Sequence, residues 1–348
     1  MEFSQCLGCM KHTEGYPCTL CGFDPKKQPN PEHALPLYHI LRGRYVVGRM
    51  LGQGGFGITY IGWDLMLDKR VAIKEYFPNG QVSRSVLNTS LVWGKNANTE
   101  DLRRSGIDSF IREAKKMAQV DHIAEIACVR DTFQENDSAY IIMDFADGET
   151  LKKRLADNGP MTWEQAAPIF FSVTAAMQKV HAAGLIHRDI SPDNIMLQPD
   201  GTIKILDLGA AKDFSVSNGL SSQLVTKHGF SPYEQYTSSG GTGPWSDVYA
   251  LAATIYYTIT GKMPPTAADR MEEDTLNWDL PQLQALPENV LAALQKALKI
   301  RAKERTQSME DFLDQLKSSP RPEPKPKSDC SGTGCPDRGR VRPEESQG

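Results

Sequence analysis

Residues 185–197 read L-I-H-R-D-I-S-P-D-N-I-M-L, a polar loop between apolar residues. The loop carries a carboxylate, Asp189, and an amide, Asn194, five positions later. A second carboxylate, Asp207, follows the apolar run 203–206, where a strand would end. Phosphoryl transfer requires a carboxylate that accepts a hydroxyl proton and oxygen ligands that hold a metal ion. These three side chains therefore predict a phosphoryl-transfer site.

The complete pattern, H-R-D-x-x-x-x-N followed by D-L-G at 207–209, is far more specific than H-R-D alone. It resembles the catalytic loop and the metal-binding D-F-G motif of eukaryotic-type (Hanks-type) serine/threonine protein kinases. The resemblance implies that Asp189 orients the acceptor hydroxyl, and that Asn194 and Asp207 hold Mg²⁺ or Mn²⁺.

A glycine-rich stretch, Gly52-Gln53-Gly54-Gly55-Phe56-Gly57, lies between two β-branched or aromatic runs, 44–47 and 58–61. Glycines at this spacing let a backbone close over phosphates without an intervening side chain. The same motif can open a dinucleotide-binding helix. A strand follows it here, so we expect a hairpin that covers the phosphates of ATP.

The V-A-I-K run at 71–74 resembles the third strand of the kinase fold, in which the lysine reaches the ATP phosphates. A lysine on a buried strand is costly unless it is paired. Glu113 is the favoured partner because it lies in the middle of a predicted helix over 110–117, with Glu100 and Glu125 as alternatives.

The strand predicted over 140–145 would lead into the hinge that binds adenine. The resemblance implies that Met143 is the gatekeeper and that the backbone of Asp144 to Ala146 bonds the base. The remaining residues that the resemblance places around the nucleotide are Leu51, Thr59, Ala72 and Met196, in addition to Lys74 and the glycine-rich stretch.

Two later motifs support the same resemblance. Ser231-Pro232-Tyr233-Glu234 stands where the family has A-P-E, and its glutamate is expected to pair with an arginine late in the chain, Arg305. The stretch 246–251, S-D-V-Y-A-L, resembles the start of the central helix of the larger lobe, where Asp247 would hold the catalytic-loop backbone.

One position departs from the family pattern. Ser191 replaces the lysine that serine/threonine kinases carry two residues after the catalytic aspartate. Lys227 falls where the family usually has threonine, and we hypothesise that it supplies the missing cation. The alternative is that Lys227 is an exposed lysine on a loop and has no part in the reaction. Arg188 precedes the catalytic aspartate, and an arginine at this position can pair with a phosphate on the activation segment, the serine-rich stretch after Asp207. The residues that could accept this phosphate by autophosphorylation are Ser215, Ser217, Ser221, Ser222 and Thr226.

The chain begins with two C-x-x-C pairs, Cys6/Cys9 and Cys18/Cys21, separated by eight residues. Two such turns can complete a tetrahedral site, which predicts a structural Zn²⁺ in a ribbon over residues 1–24. The alternative, two disulfides, fits poorly with reduced cytosolic thiols. We expect the metal to supply the folding free energy of the ribbon and the ribbon to have its own boundary, so deleting residues 1–30 should leave ATP binding largely intact.

The rest of the predicted organisation follows from composition. Prolines at 25, 29, 31 and 36 predict an extended linker over 25–43. A kinase domain over 44–317 would contain a long polar insert, 79–106, before its helix. The proline-rich stretch 318–348 has too little apolar surface to fold and is predicted to be disordered.

The net charge of −4 argues against a nucleic-acid partner. The longest nearly apolar run, 248–260, is too short for a bilayer span of about 20 residues. No signal sequence is recognised at the start, so we expect a cytoplasmic protein without a membrane span.

The sequence thus predicts an α+β, two-lobed protein kinase fold: a small antiparallel-sheet lobe with one helix, a larger mainly helical lobe, and a zinc ribbon. The expected function is transfer of the γ-phosphate of ATP to serine or threonine on proteins, including autophosphorylation. Two alternatives stay open. A small-molecule kinase shares H-x-D-x-x-x-x-N, and a pseudokinase scaffold would explain Ser191.

Overall fold

The structure is a computed structural model that describes residues 3–94, 97–208, 226–237 and 241–318, without the side chains of 97–99 and 102. Its two lobes are joined by the segment after strand Ser138–Asp144. The small lobe is an antiparallel sheet with one long helix, and the larger lobe is mainly helical. The predicted two-lobed architecture is confirmed.

The small lobe is a curved sheet in which every neighbouring pair of strands is antiparallel, in the order β1-β2-β3-β4-β8-β7. Its strands are β1 (Ile40–Leu41), β2 (Tyr45–Gln53), β3 (Gly57–Asp64), β4 (Lys69–Tyr76), β7 (Val129–Glu135) and β8 (Ser138–Asp144). Successive side chains of a strand point to opposite faces. In β4, Ala72 and Lys74 therefore share one face, while Val71, Ile73 and Glu75 share the other, which is buried.

Helix α1 (Ala97–Ala118) packs against β7 and β8. It begins nine residues before the end of the predicted insert 79–106, so that prediction is wrong in its second half. Gly106 lies within the helix, although glycine weakens a helix interior. A Cβ at this position would collide with the Tyr76 hydroxyl, so only glycine fits there.

The first half of the predicted insert forms a hairpin, β5 (Val82–Arg84) and β6 (Leu91–Trp93). Arg84 inserts into the small lobe and bonds Glu75 at 2.6 Å, and neither side chain is appreciably exposed. Tyr60 and Tyr140 donate their hydroxyls to the same carboxylate at 2.7 and 2.8 Å. A buried carboxylate needs such partners, so the hairpin is anchored as part of the small lobe.

The segment 25–43 is not the extended linker that its prolines predict. Leu35 and Leu41 are fully buried among the apolar residues of the sheet. Ile40 and Leu41 form β1, which pairs with β2. Because the segment buries apolar side chains and contributes a strand, it belongs to the small lobe.

The core of the larger lobe is formed mainly by two helices with many buried residues, α3 (Trp163–Ala182) and α4 (Pro244–Thr260). The elements of this lobe are β9 (Glu149–Thr150), α2 (Leu151–Asn158), α3 (Trp163–Ala182), β10 (Ile195–Leu197), β11 (Ile203–Ile205), α4 (Pro244–Thr260), α5 (Ala267–Glu272), α6 (Pro281–Gln284), α7 (Glu288–Ala297) and α8 (Met309–Lys317). Strands β9, β10 and β11 form a small antiparallel sheet beneath the small lobe. Within the described ranges, no helix combines the length and apolar character needed to cross a bilayer.

Candidate active site

The loop between α3 and β10 is held in place by one buried carboxylate. Asp247, at the start of α4, accepts hydrogen bonds from the backbone N–H groups of His187 and Arg188 at 2.8 and 2.7 Å. It also contacts His181 at 2.8 Å. Arg188 has a φ of 64°, which is unfavourable for a residue with a side chain. The two bonds to Asp247 stabilise this conformation, and the predicted role of Asp247 agrees with the geometry.

The predicted base, Asp189, is positioned by the predicted metal ligand. Asn194 donates from its amide nitrogen to the Asp189 main-chain oxygen at 2.7 Å and to its carboxylate at 2.8 Å. Asn194 ends a short 3₁₀ turn, Pro192–Asn194, and is buried. Both bonds use the amide nitrogen, so the amide oxygen is left on the opposite side of the group.

Asp207 lies beside this loop because the segment before it is bonded to the loop. The backbone N–H of Leu206 donates to the Asn194 carbonyl at 2.8 Å, and the Leu206 carbonyl contacts the His187 ring at 3.0 Å. Burial lowers the pKa of His187, which favours its neutral form at this position. Asp207 itself has a φ of 51°, a second strained residue at the site.

Lys74, on β4 of the small lobe, lies between two carboxylates, one from each lobe. Its ammonium lies 2.7 Å from the Asp207 carboxylate and 3.6 Å from Glu113 on α1. Burial alone would lower the pKa of Lys74, but Asp207 and Glu113 raise it above its ordinary value. Burial likewise opposes ionisation of Asp207, yet Lys74 holds the pKa of that carboxyl below its usual range. The lysine is therefore a cation between two carboxylates.

Glu113 is 2 % exposed, and its distance to Lys74 is that of an ion pair rather than a hydrogen bond. Burial raises the pKa of Glu113 to about 7, against the opposing effect of Lys74. Asp207 and Asp189 also face this group and raise its pKa further. The Glu113 carboxyl therefore changes its ionisation state near pH 7.

We expect kcat/KM to fall as the pH drops below about 7, because a carboxyl group with a raised pKa is neutral below that value and loses its pair with Lys74. The limiting slope would be about tenfold per pH unit. Profiles of kcat/KM for the wild type and Glu113→Gln would check this. An acid limb that persists unchanged in the variant would assign the titration to another group.

A cleft opens between the lobes next to these residues. Its lining consists of Leu51, Thr59, Ala72, Ala127, Met143, Asp144, Phe145, Ala146, Met196, Leu206 and Asp207. The lining contains seven of the residues predicted around the nucleotide, Leu51, Thr59, Ala72, Met143, Asp144, Ala146 and Met196, and adds Ala127, Phe145 and Leu206, whereas Lys74 is not part of it. Asp207 lines the cleft and also belongs to the polar cluster, which consists of Lys74, Glu113, Asp189, Asn194 and Asp207. A ligand in the cleft would therefore reach Lys74.

The glycine-rich stretch joins β2 to β3, as predicted. Its backbone closes on itself through Gly54 N–H and the Gly57 carbonyl at 2.8 Å. The Gly55 and Phe56 carbonyls accept from the backbone of Asn79 and Phe77, both at 2.9 Å. These bonds fix the stretch at the mouth of the cleft.

Lys227 lies next to the departure at Ser191. Its ammonium donates to the Ser191 hydroxyl at 2.7 Å and forms an ion pair with Asp193 at 3.2 Å. A turn positions it, since Phe230 and Ser231 both donate their N–H groups to the Lys227 carbonyl at 3.0 Å. A lysine distant in sequence thus occupies the neighbourhood of the residue where the family pattern has one.

The predicted pair of Glu234 with Arg305 is present and bidentate, with N–O distances of 2.7 and 2.9 Å. The arginine is fully buried, and Ser246 donates to the same carboxylate at 2.7 Å. Ser215, Ser217, Ser221 and Ser222, proposed above as phosphate acceptors, lie outside the described residues, as does Gly209. The autophosphorylation hypothesis therefore stays a prediction.

Comparisons with known proteins agree with this geometry. The profile of the protein kinase domain family matches residues 45–321. Serine/threonine-protein kinase PrkC of Bacillus subtilis is 31% identical over 226 residues, covering 64% of this chain and 31% of PrkC. Serine/threonine-protein kinase F of Synechocystis is 29% identical over 292 residues, covering 79% of this chain and 55% of that kinase.

A solved structure titled PpkA-294 apo form matches with a TM-score of 0.72 and 30% identity, covering 82% of this chain and 99% of that chain. The two curated relatives are longer, and the chain spans only about a third to a half of their length. The family match extends over most of this sequence and includes the loop, the cleft and the cluster described above. The chain belongs to the protein kinase domain family.

Proposed function

We propose that this protein is an ATP-dependent protein kinase that phosphorylates serine or threonine hydroxyls on proteins, its own chain included. One observation carries the proposal: Lys74, Asp189, Asn194 and Asp207 converge at the end of a cleft suited to adenine. The similar proteins named serine/threonine-protein kinases support the choice of acceptor.

The residues divide the reaction between them. Lys74 would bind the phosphates of ATP through its ammonium, while the glycine-rich stretch covers them with backbone. Asp189 would accept the proton of the acceptor hydroxyl as its oxygen bonds the γ-phosphorus. The bond from that phosphorus to the bridging oxygen of ADP breaks, and ADP leaves. Catalysis of this kind depends mainly on positioning and electrostatics.

The residues fit a divalent metal ion. The Asp207 carboxylate lines the cleft, and the Asn194 amide oxygen faces away from Asp189. Carboxylate and amide oxygens are suitable ligands for Mg²⁺ or Mn²⁺. Such an ion, when bound, neutralises charge on the phosphates.

The test is incubation of the purified chain with γ-labelled ATP and magnesium in parallel reactions that contain a general protein substrate, choline or an aminoglycoside. Label on the protein substrate supports a protein kinase, whereas label confined to choline or an aminoglycoside would favour the small-molecule alternative. The buried Glu234–Arg305 pair and the Asp247 contacts belong to motifs that led us to prefer protein acceptors. Nucleotide binding without transfer would favour the pseudokinase scaffold.

We further propose that the N-terminal ribbon binds one structural zinc ion through Cys6, Cys9, Cys18 and Cys21. The four sulfur atoms lie within 4.8 Å of one another, and Cys6 and Cys21 are 3.7 Å apart. A tetrahedral zinc site with bonds of about 2.3 Å places its sulfurs about 3.8 Å apart. The donors therefore need little movement to enclose the ion.

Metal analysis of protein purified without chelator should find about one zinc per chain. Cys9→Ser combined with Cys21→Ser should lose the metal, because two ligands are too few for a structural site. Cys128→Ser is the matched control and should keep it, since Cys128 lies outside the cluster. Reduced, folded wild-type protein that contains no zinc would contradict the proposal.

As domain organisation we propose a zinc ribbon over 1–24 attached to a kinase domain, with the small lobe extended to include 25–43. The disorder predicted for the tail 318–348 concerns residues that, beyond Ser318, lie outside the described ranges. We propose a cytoplasmic location and protein substrates of unspecified sequence.

A further inference from the structure

Strand β2 is irregular just before the glycine-rich stretch. Val47 pairs with Gly62 and Met50 pairs with Tyr60, so three steps along β2 match two along β3. The additional residue makes a β-bulge at Gly48 and Arg49, which frees backbone groups from their usual partners on β3. Such groups need other partners when they lie inside a protein.

The N-terminal segment supplies those partners. The Arg49 N–H donates to the Leu7 carbonyl in the ribbon at 2.8 Å. The Asn30 side chain donates to the Gly48 carbonyl at 3.0 Å and accepts from the Met50 N–H at 2.8 Å. Leu7 and Asn30 thus hold both ends of the bulge, close to Gly52 at the mouth of the cleft.

Apolar packing connects the ribbon to the sheet of the small lobe and to the hinge. Leu7 and Met10 share an apolar cluster with Val46 and Ile61 of the sheet and with Phe145 of the hinge. Phe145 also lines the cleft. Gly48 has no room for a side chain, because a Cβ there would lie 2.5 Å from the Leu7 carbonyl oxygen and from the Met10 methyl group. The expectation of an independent ribbon is therefore wrong.

A third contact reaches the glycine-rich stretch itself. The His33 ring lies 2.9 Å from the Gln53 side-chain oxygen. Gln53 is the last residue of β2 and the second residue of the G-Q-G-G-F-G motif. The segment 3–33 consequently bonds β2 at its bulge and at its end.

The cysteines control the position of Leu7. Leu7 lies between Cys6 and Cys9, in a turn closed by a bond from the Met10 N–H to the Cys6 carbonyl at 2.7 Å. The ribbon has few apolar residues of its own, and folding of such small elements depends on metal ligation. Loss of the metal would remove the ligation that fixes this turn on both sides of Leu7, and with it one constraint on the Leu7 carbonyl under Arg49.

We propose that the cysteine ribbon is a control element for nucleotide binding. With metal bound to the four thiolates, Leu7 holds the β2 bulge from the ribbon while Asn30 holds it from the adjoining segment, and the glycine-rich stretch stays in the position that covers the phosphates of ATP. Loss of the metal releases β2 and lowers nucleotide affinity. This proposal rests on the proposed function, because it assigns ATP to the cleft.

Coupling between two sites is reciprocal. If zinc strengthens nucleotide binding, then the nucleotide must strengthen zinc binding by the same factor. Couplings of this kind change affinity by about fivefold to a hundredfold, and we expect a value in this range.

The direct test measures binding of a fluorescent ADP analogue with magnesium by full-length protein. Leu7→Ala should weaken binding at least about fivefold while it retains zinc, because the side chain that packs under β2 is removed. Leu20→Ala is the matched control: the same substitution on the ribbon at a residue that is 65% exposed should leave affinity unchanged. Asn30→Ala, which alters no cysteine turn, should weaken binding as Leu7→Ala does.

A second measurement needs no variant. Zinc affinity is determined by competition with a chelator, with and without saturating magnesium–ADP, and should be higher with the nucleotide. Circular dichroism at the titration temperature verifies that each protein is folded.

The outcomes separate the two proposals. Wild-type protein that binds nucleotide with an affinity unchanged by Leu7→Ala, Asn30→Ala and zinc removal would overturn the coupling and leave the proposed function intact. Wild-type, zinc-loaded protein that binds no nucleotide would overturn both. Weaker binding in Leu7→Ala and Asn30→Ala but not in Leu20→Ala, with nucleotide-enhanced zinc affinity, would support the control element.

Discussion

Replacing Asp189 by asparagine should lower the rate of phosphoryl transfer about a hundredfold to ten-thousandfold, the usual contribution of a general base. The substitution removes the proton acceptor but keeps the shape of the side chain. An amide oxygen at position 189 can still accept the 2.8 Å bond from Asn194, so the loop should keep its conformation. Asp189 is absent from the lining of the cleft, and nucleotide affinity should change little.

The measurement combines single-turnover transfer from labelled ATP with a nucleotide titration of the same preparation. Asp200→Asn is a matched control, because Asp200 is an exposed carboxylate in the turn that follows β10 and bonds only its neighbour Thr202 among the contacts observed. It should transfer at the wild-type rate. Equal rates for wild type and Asp189→Asn would mean that the label arises from a contaminant or that the protein is a scaffold.

The polar cluster could be predicted because its residues lie in motifs with fixed spacing. Asp189 and Asn194 are five residues apart on one loop, and their bond is local. Glu113 is 39 positions from Lys74, yet its helical apolar face predicted that it would point inward. In each case the side chain's position follows from the element that carries it.

Other features depend on contacts that leave no periodic signal. In the sequence, Arg84 is one charged residue within a polar insert, and its neighbours give no sign that it is the buried partner of Glu75. The start of α1 was missed because Gly106 and the polar residues before it weaken the helical pattern. Docking of the ribbon was missed for the same reason: the bulge that receives Leu7 arises from strand register, which the sequence of β2 does not display.

Both the sequence and the geometry support a catalytic role for Lys227, which lies outside the motifs shared with the family. Ser191 is fully buried and brings no charge to the catalytic loop, while the Lys227 ammonium donates to its hydroxyl at 2.7 Å. Burial raises the pKa of Asp207, but Lys74 and, with smaller effects, His187 and Lys227 lower it below its usual range, so the charge of Lys227 acts on this carboxylate. A cation in this place can offset the charge that develops on the transferring phosphate.

Lys227→Ala should therefore lower kcat by at least about tenfold, and up to about a hundredfold, with little change in nucleotide affinity. Adding Ser191→Lys should restore part of the loss. The Ser191 hydroxyl lies 2.7 Å from the Lys227 ammonium, so a lysine at 191 would return an ammonium to the same space. The two substitutions would then be coupled rather than additive.

The competing explanation is that Lys227 serves only as an ion-pair partner of Asp193, at 3.2 Å. Lys152 offers the matched control, since it pairs with the same carboxylate at 2.9 Å but has no recorded contact with Ser191. If the pair with Asp193 were the whole role, Lys152→Ala and Asp193→Asn would lower kcat as Lys227→Ala does, and Ser191→Lys would rescue none of them. We expect instead that Lys152→Ala keeps the wild-type kcat and that rescue by Ser191→Lys is confined to the Lys227 variant, because Lys227, unlike Lys152, donates a hydrogen bond to the position where the family pattern has its lysine.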